Sequence, residues 1–189
     1  KAQGKSTAVG DEGGFAPQGL EHEQVMDLLC RSIEMAGYRP GEDISLALDV
    51  AASTFYKDNQ YHCQGKTYDA PSWVAFWQAW LRRYPIISIE DAMAEEDWTG
   101  WALLSSVIGK QVQLVGDDLF VTQVALLDRG IDEGVANAIL IKPNQVGTVT
   151  ETLLAMALAR KSGYRTVVSH RSGDTEDDWL ADFAVGTAA

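Results

Sequence analysis

Positive charge is scarce in this chain: 15 Lys and Arg stand against 27 Asp and Glu, a formal net charge of −12 at pH 7. Nucleic-acid binding needs a basic face, so this balance excludes DNA and RNA as partners. An acidic protein can still take an anionic substrate if metal ions reverse the local sign. Cysteine is nearly missing. Cys30 and Cys63 are the only two, with neither the spacing of a zinc site nor the number for a disulfide framework, and a reducing, cytoplasmic setting fits. No apolar run approaches the roughly 20 residues of a membrane span, and no secretory leader opens the sequence. No Gly-x-Gly-x-x-Gly or P-loop pattern follows a strand candidate, which removes the common nucleotide-binding folds.

What remains is ordinary globular material, 46% hydrophobic and 22% charged over 189 residues. The chain starts at Lys1 without a methionine and runs out on an apolar stretch, 183–189. Both ends read as cuts through a longer protein.

Five short segments read as strands buried on both faces: 45–49 (SLALD), 86–90 (IISIE), 113–117 (QLVGD), 138–142 (AILIK) and 166–170 (TVVSH). Each is rich in Ile, Val or Leu and nearly continuous rather than alternating. Each ends in an ionisable residue: Asp49, Glu90, Asp117, Lys142 and His170. Those residues stand 41, 27, 25 and 28 positions apart, close to the roughly 30 residues per βα unit of an eight-fold barrel.

Helical patterns fill the intervals. Residues 20–36 carry apolar side chains at helical spacing before Gly37, and Pro71 opens a second helix bearing Trp73, Trp77 and Trp80. Others are expected over 97–107, over 122–133 before Gly134, and after a Thr148/Glu151 capping box. Residues 56–61 read as a small hairpin. The three tryptophans are expected to pack between helices and sheet. His22 and His62 read as exposed and without partners. The fold class is therefore α/β, a TIM-like βα barrel with right-handed crossovers. An open doubly wound sheet would gather its site at one or two strand ends, whereas here every strand ends in a reactive group.

A single Asp after a strand is most often a helix cap or turn residue. Three carboxylates at consecutive strand ends are different, because they would repel one another strongly if unpaired. A hard divalent cation resolves that repulsion, and all-oxygen ligation points to Mg²⁺ or Mn²⁺. Lys142, on the next strand, is either a structural ion pair with one of these carboxylates or a general base whose pKa is lowered by burial or a neighbouring cation. Asp91 and Asp118, each beside a proposed ligand, read as groups that orient it.

Gly10-Asp11-Glu12-Gly13-Gly14-Phe15, Ser88-Ile89-Glu90-Asp91, Val115-Gly116-Asp117-Asp118-Leu119, Ile141-Lys142-Pro143-Asn144-Gln145 and Ser169-His170-Arg171-Ser172-Gly173 occur in that order. Taken together, these motifs resemble those of the enolase family, and the resemblance covers essentially the whole chain. It implies an enolase-type C-terminal catalytic barrel over residues 1–189, with about five barrel strands and the preceding active-site loop present. The N-terminal domain and last barrel strand would be absent, along with a loop serine for a second metal and a second active-site lysine. The implied reaction is the reversible Mg²⁺-dependent dehydration of 2-phosphoglycerate to phosphoenolpyruvate in glycolysis and gluconeogenesis. Enolase-superfamily sites are the established case of a lysine base facing Mg²⁺ that holds the enediolate.

By the same resemblance, Asp49, Glu90 and Asp117 would hold Mg²⁺, with two ions in a complete site. Lys142 would remove the C2 proton, and Glu12 would act as the acid for the departing C3 hydroxyl. His170, Arg171 and Ser172 would contact a small anionic phosphorylated substrate, Arg171 and Ser172 at its phosphate. A full-length homo-oligomer, dimer or octamer, and a cytoplasmic location with an additional cell-surface or secreted pool are also implied. Ala92-Met93 departs from the family pattern, where many members carry proline or glycine. The rival reading is a non-catalytic or moonlighting enolase-fold binding protein; a lost base or ligand would favour it, and none of the groups present is altered.

Overall fold

The alternation of short apolar strands with helices carries through the computed structural model, which describes residues 4–10 and 13–189. Helix α1 (His22–Met35) precedes β1 (Leu46–Asp49), and a 3₁₀ turn (Ala52–Phe55) leads into β2 (Tyr56–Lys57), β3 (Gln60–Cys63) and β4 (Lys66–Tyr68). Then follow α2 (Ala70–Arg83), β5 (Ile86–Glu90), α3 (Trp98–Ile108), β6 (Gln113–Gly116), α4 (Val124–Glu133) and β7 (Ala138–Ile141). A single turn α5 (Pro143–Val146), α6 (Val149–Lys161), β8 (Arg165–Val168) and α7 (Trp179–Gly186) complete the order. Strands β1, β5, β6, β7 and β8 form one all-parallel sheet in that order. This is an incomplete βα barrel. The expected hairpin is a three-stranded antiparallel sheet, β2-β3-β4; the short, polar β4, the single turn α5 and the eight-residue helix α7 were not anticipated.

Local chemistry explains the helix starts. Asp69 Oδ1 accepts from the Ser72 amide at 2.9 Å and Asp97 Oδ1 from the Gly100 amide at 2.8 Å, each satisfying an otherwise orphaned donor. Thr148 Oγ1 accepts from the Glu151 amide at 3.1 Å, and its hydroxyl donates to Glu151 Oε2 at 2.6 Å. The expected capping box thus closes through the hydroxyl rather than through the Thr148 backbone.

The two sheet faces bury different things. Ile89, Leu114 and Ile139 lie fully buried in the main core. Val115, Ala138 and Leu140 form a separate small cluster against Val167. Trp73 stacks between Tyr61 and Phe76 with centroids 5.5 and 4.7 Å away, and its Nε1 donates to the Ala92 carbonyl at 2.8 Å. The tryptophans therefore pack against the hairpin as well as the sheet. His22 and His62 are exposed, but each has a neighbour: His22 Nδ1 lies 3.7 Å from Cys63 Sγ and His62 Nδ1 3.2 Å from Thr67 Oγ1.

Phe120 shows why two glycines sit where they do. A Cβ on Gly130 would stand 2.5 Å from the Phe120 ring, and one on Gly116 would stand 2.6 Å away. Alanine at 130 would gain up to about 1 kcal/mol of helix propensity, but overpacking a buried ring costs about 1–3 kcal/mol. Gly130→Ala should therefore lower stability in urea unfolding, and adding Phe120→Leu should recover part of the loss. A stabilised Gly130→Ala would contradict this packing.

Candidate active site

Strand register brings the acidic groups together. Asp49 pairs with Glu90 across β1 and β5, and Glu90 pairs with Val115 across β5 and β6. Side chains two residues apart share a face, so Asp117 lies on the same face as Val115, one step nearer the sheet mouth. Ile141 pairs with Val168, which sets Lys142 beside Ser169 just past the strand ends. Asp49, Glu90, Asp117, Lys142, His170, Arg171 and Ser172 line one cavity of about 590 Å³. Glu12 lies outside the described residues. Asp49 and Glu90 close their strands, Asp117 and Lys142 stand one residue past theirs, and His170 stands in the loop two residues beyond β8.

Two further lining residues, Asn144 and Ser169, were not singled out from the sequence. Counting alternate residues along β8 from Val167 would have found Ser169. Nothing local would have found Asn144, because it depends on the turn α5, which starts directly after Lys142. Arg171 Nη1 donates to Asn144 Oδ1 at 3.0 Å, so the loop after β8 is tied to the segment after Lys142.

The charges do not balance. Lys142 Nζ lies 2.5 Å from Asp117 Oδ2, and both side chains are largely buried. Among the described residues, Asp117 Oδ1 is buried with no hydrogen-bond partner, a costly state for a carboxylate oxygen. Burial, and then the neighbouring Asp49 and Asp117, push Glu90 up to about 7. Burial also raises Asp49, against the opposing Ala51 amide bond. Lys142 pairs with only one of the three carboxylates, Asp117, and Arg171 on the same wall donates to Asn144. The all-oxygen donor set of these carboxylates is compatible with a divalent metal ion.

Among the described residues, the acidic group whose carboxylate oxygens come within 4.8 Å of one another is Asp91, Asp117 and Asp118. Asp91 is already engaged there, with Oδ1 accepting from the Asp117 amide and Oδ2 from the Asp118 amide, both at 2.9 Å. The cavity-lining set of Asp49, Glu90 and Asp117 retains the unpartnered oxygen and faces the lysine and arginine.

Neighbouring loops hold these groups in place. Fully buried Thr122, in left-handed backbone at φ 60°, accepts from the Lys142 amide at 2.9 Å, and its hydroxyl donates to Gln145 Oε1 at 2.7 Å. The Tyr61 hydroxyl donates to Asp97 Oδ2 at 2.7 Å and accepts from the Ala94 amide at 3.2 Å. The segment after Glu90 is thereby pinned to the hairpin.

Residues 1–189 match the family model described as enolase, C-terminal TIM barrel domain. The chain belongs to this family. The enolase family is of lyase type, and its barrel agrees with the parallel sheet described above. The local departure at Ala92-Met93 is a matter of packing: both side chains are fully buried. Ala92 supplies the carbonyl that Trp73 holds, and Met93 lies against Gly100. Among the described residues, no helix is long and apolar enough to cross a membrane.

The raised Glu90 value has a definite sign. Its ordinary value is 4.5 and its folded value about 7, so the folded state binds more protons than the unfolded state between these limits. Its contribution to stability is therefore greatest at low pH and is lost as pH rises through that window. A cation that binds the ionised site reverses the loss. Mg²⁺ should raise Tm more above pH about 7 than below about 5, and Glu90→Gln should flatten the difference. An equal Mg²⁺ effect at both pH values in the wild type would contradict it.

Proposed function

We propose that this chain is part of the catalytic barrel of an enolase, phosphopyruvate hydratase, which reversibly converts 2-phosphoglycerate to phosphoenolpyruvate in glycolysis and gluconeogenesis. The carrying observation is one cavity lined by Asp49, Glu90 and Asp117 beside Lys142, with Arg171 and Ser172 also on its wall. A carboxylate cluster that needs a cation, a lysine and a phosphate-compatible loop suit a phosphorylated hydroxy acid. The longer protein to which the chain belongs would supply the remaining barrel strands, an N-terminal domain and the second metal site. It would work as a cytoplasmic homo-oligomer.

In this reading Asp49, Glu90 and Asp117 hold Mg²⁺, which supplies positive charge at the substrate carboxylate. Lys142 Nζ accepts the C2 proton, leaving a dianion on that carboxylate. Glu12 then gives a proton to the C3 hydroxyl, which departs as water while the C2–C3 double bond forms. Arg171 offers its planar fork to the phosphate, and Ser172 adds a hydroxyl donor. Lys142 begins in its ion pair with Asp117; engagement of Asp117 by the cation would release it, and its ammonium proton would pass to solvent before the neutral amine acts as base.

The test uses the full-length protein containing this chain, following phosphoenolpyruvate by ultraviolet absorbance with Mg²⁺ and with chelator. Lys142→Ala should lower turnover by about 10²–10⁴-fold and abolish exchange of the C2 proton with solvent. Glu12→Gln should spare that exchange and block water loss. Turnover that survives chelation, or proton exchange that survives Lys142→Ala, contradicts the assignment.

A further inference from the structure

Asp91 makes four hydrogen bonds at the sheet mouth. Its carbonyl accepts from the Ala52 amide at 3.1 Å, just past β1, and its own amide donates to the Val115 carbonyl of β6 at 3.0 Å. Its two carboxylate oxygens take the amides of Asp117 and Asp118, each at 2.9 Å. It directly follows Glu90 and is itself buried. One residue therefore links the backbone at the ends of the three strands that carry Asp49, Glu90 and Asp117.

The chemistry requires this residue type. Both partners of the side chain are N–H donors, and only a carboxylate offers two acceptors there. These charge-assisted bonds fix the backbone from which the Asp117 side chain departs. The backbone is also unusual: Asp91 lies at φ 42°, the left-handed region that Asp and Asn enter more readily than bulkier residues. Asparagine can hold that conformation, but its NH₂ would face one of the two amides. Asp91→Asn therefore removes the second hydrogen bond while keeping the shape.

We infer that Asp91 is a positioning residue that sets the spacing of Asp49, Glu90 and Asp117 for a divalent cation. The inference rests on the metal site proposed above. Asp91 is assigned as a support and not as a ligand because each of its oxygens already accepts a backbone amide and it does not line the cavity of Asp49, Glu90 and Asp117. It acts through the strand ends, as groups behind metal ligands commonly do, and their loss costs about 10- to 100-fold in affinity.

Mn²⁺ binding to the full-length protein, read by the electron paramagnetic resonance signal of the free ion, tests this without any turnover. Asp91→Asn should weaken binding about 10- to 100-fold, and in the metal-free protein the Asp117 and Asp118 amides should exchange with deuterium faster. Leu127→Ala, at a buried position in the α4 core, is the control for general destabilisation and should bind Mn²⁺ as the wild type does. Wild-type affinity in Asp91→Asn, with binding abolished in Glu90→Gln, overturns the positioning role alone. Unchanged binding in Glu90→Gln overturns the metal site itself. An equal loss in Leu127→Ala, or a loss in Asp118→Asn as large as in Asp91→Asn, also overturns the inference: the first would make the effect one of stability, and the second would make Asp91 and Asp118 ligands.

Discussion

Mutual repulsion among carboxylates is the constraint on which the rest of this structure turns. Parallel pairing sets Asp49 directly opposite Glu90 and brings Asp117 onto the same face. Left alone, three such charges in a partly buried mouth would push the strand ends apart or take up protons. Burial, and then the neighbouring carboxylates, push the Glu90 carboxyl up to about 7, and Lys142 pairs with Asp117. Neither gives Asp117 Oδ1 a partner, and among the described residues it stays buried without one. A fold that holds such an arrangement must be stabilised elsewhere, and a cation bound there would relieve the repulsion.

The stabilisation comes from the layer outside the mouth. Ile89, Leu114 and Ile139 are fully buried in the main core, and each such side chain contributes about 1.5–3 kcal/mol. The hairpin and α2 form an aromatic block around Trp73 whose polar edges reach inward. Trp73 Nε1 holds Ala92, and the Tyr61 hydroxyl holds Ala94 and Asp97. These bonds grip the segment immediately after Glu90, so packing far from the cavity fixes one of its carboxylates. Thr122 does the same for the Lys142 backbone on the other side. Rigid supports of this kind keep like charges close at a fixed spacing.

Much of this was legible in the sequence because the signals were local and repeated. Five apolar runs, each ending in an ionisable residue, gave both the parallel architecture and the set of groups at its mouth. Strand limits were less legible. β8 stops at Val168 rather than at His170, because a run of apolar residues does not show where pairing ends. Asn144 joined the cavity through the turn after Lys142, and that turn is too short to leave a periodic pattern. Asp91 reads from the sequence as a group that orients the neighbouring ligand, but the bonds by which it would do so are not legible there. Its four bonds join the end of β5 to the ends of β1 and β6, and only tertiary structure brings these together.

The central claim is that Asp49, Glu90 and Asp117 together hold a divalent cation. It is tested most directly by an anomalous difference map from crystals of the full-length protein grown with Mn²⁺. A single strong peak within about 2.0–2.6 Å of carboxylate oxygens from all three residues, with Lys142 drawn away from Asp117, is the predicted result. A peak bound by Asp91, Asp117 and Asp118, or no peak at the sheet mouth, would contradict the account.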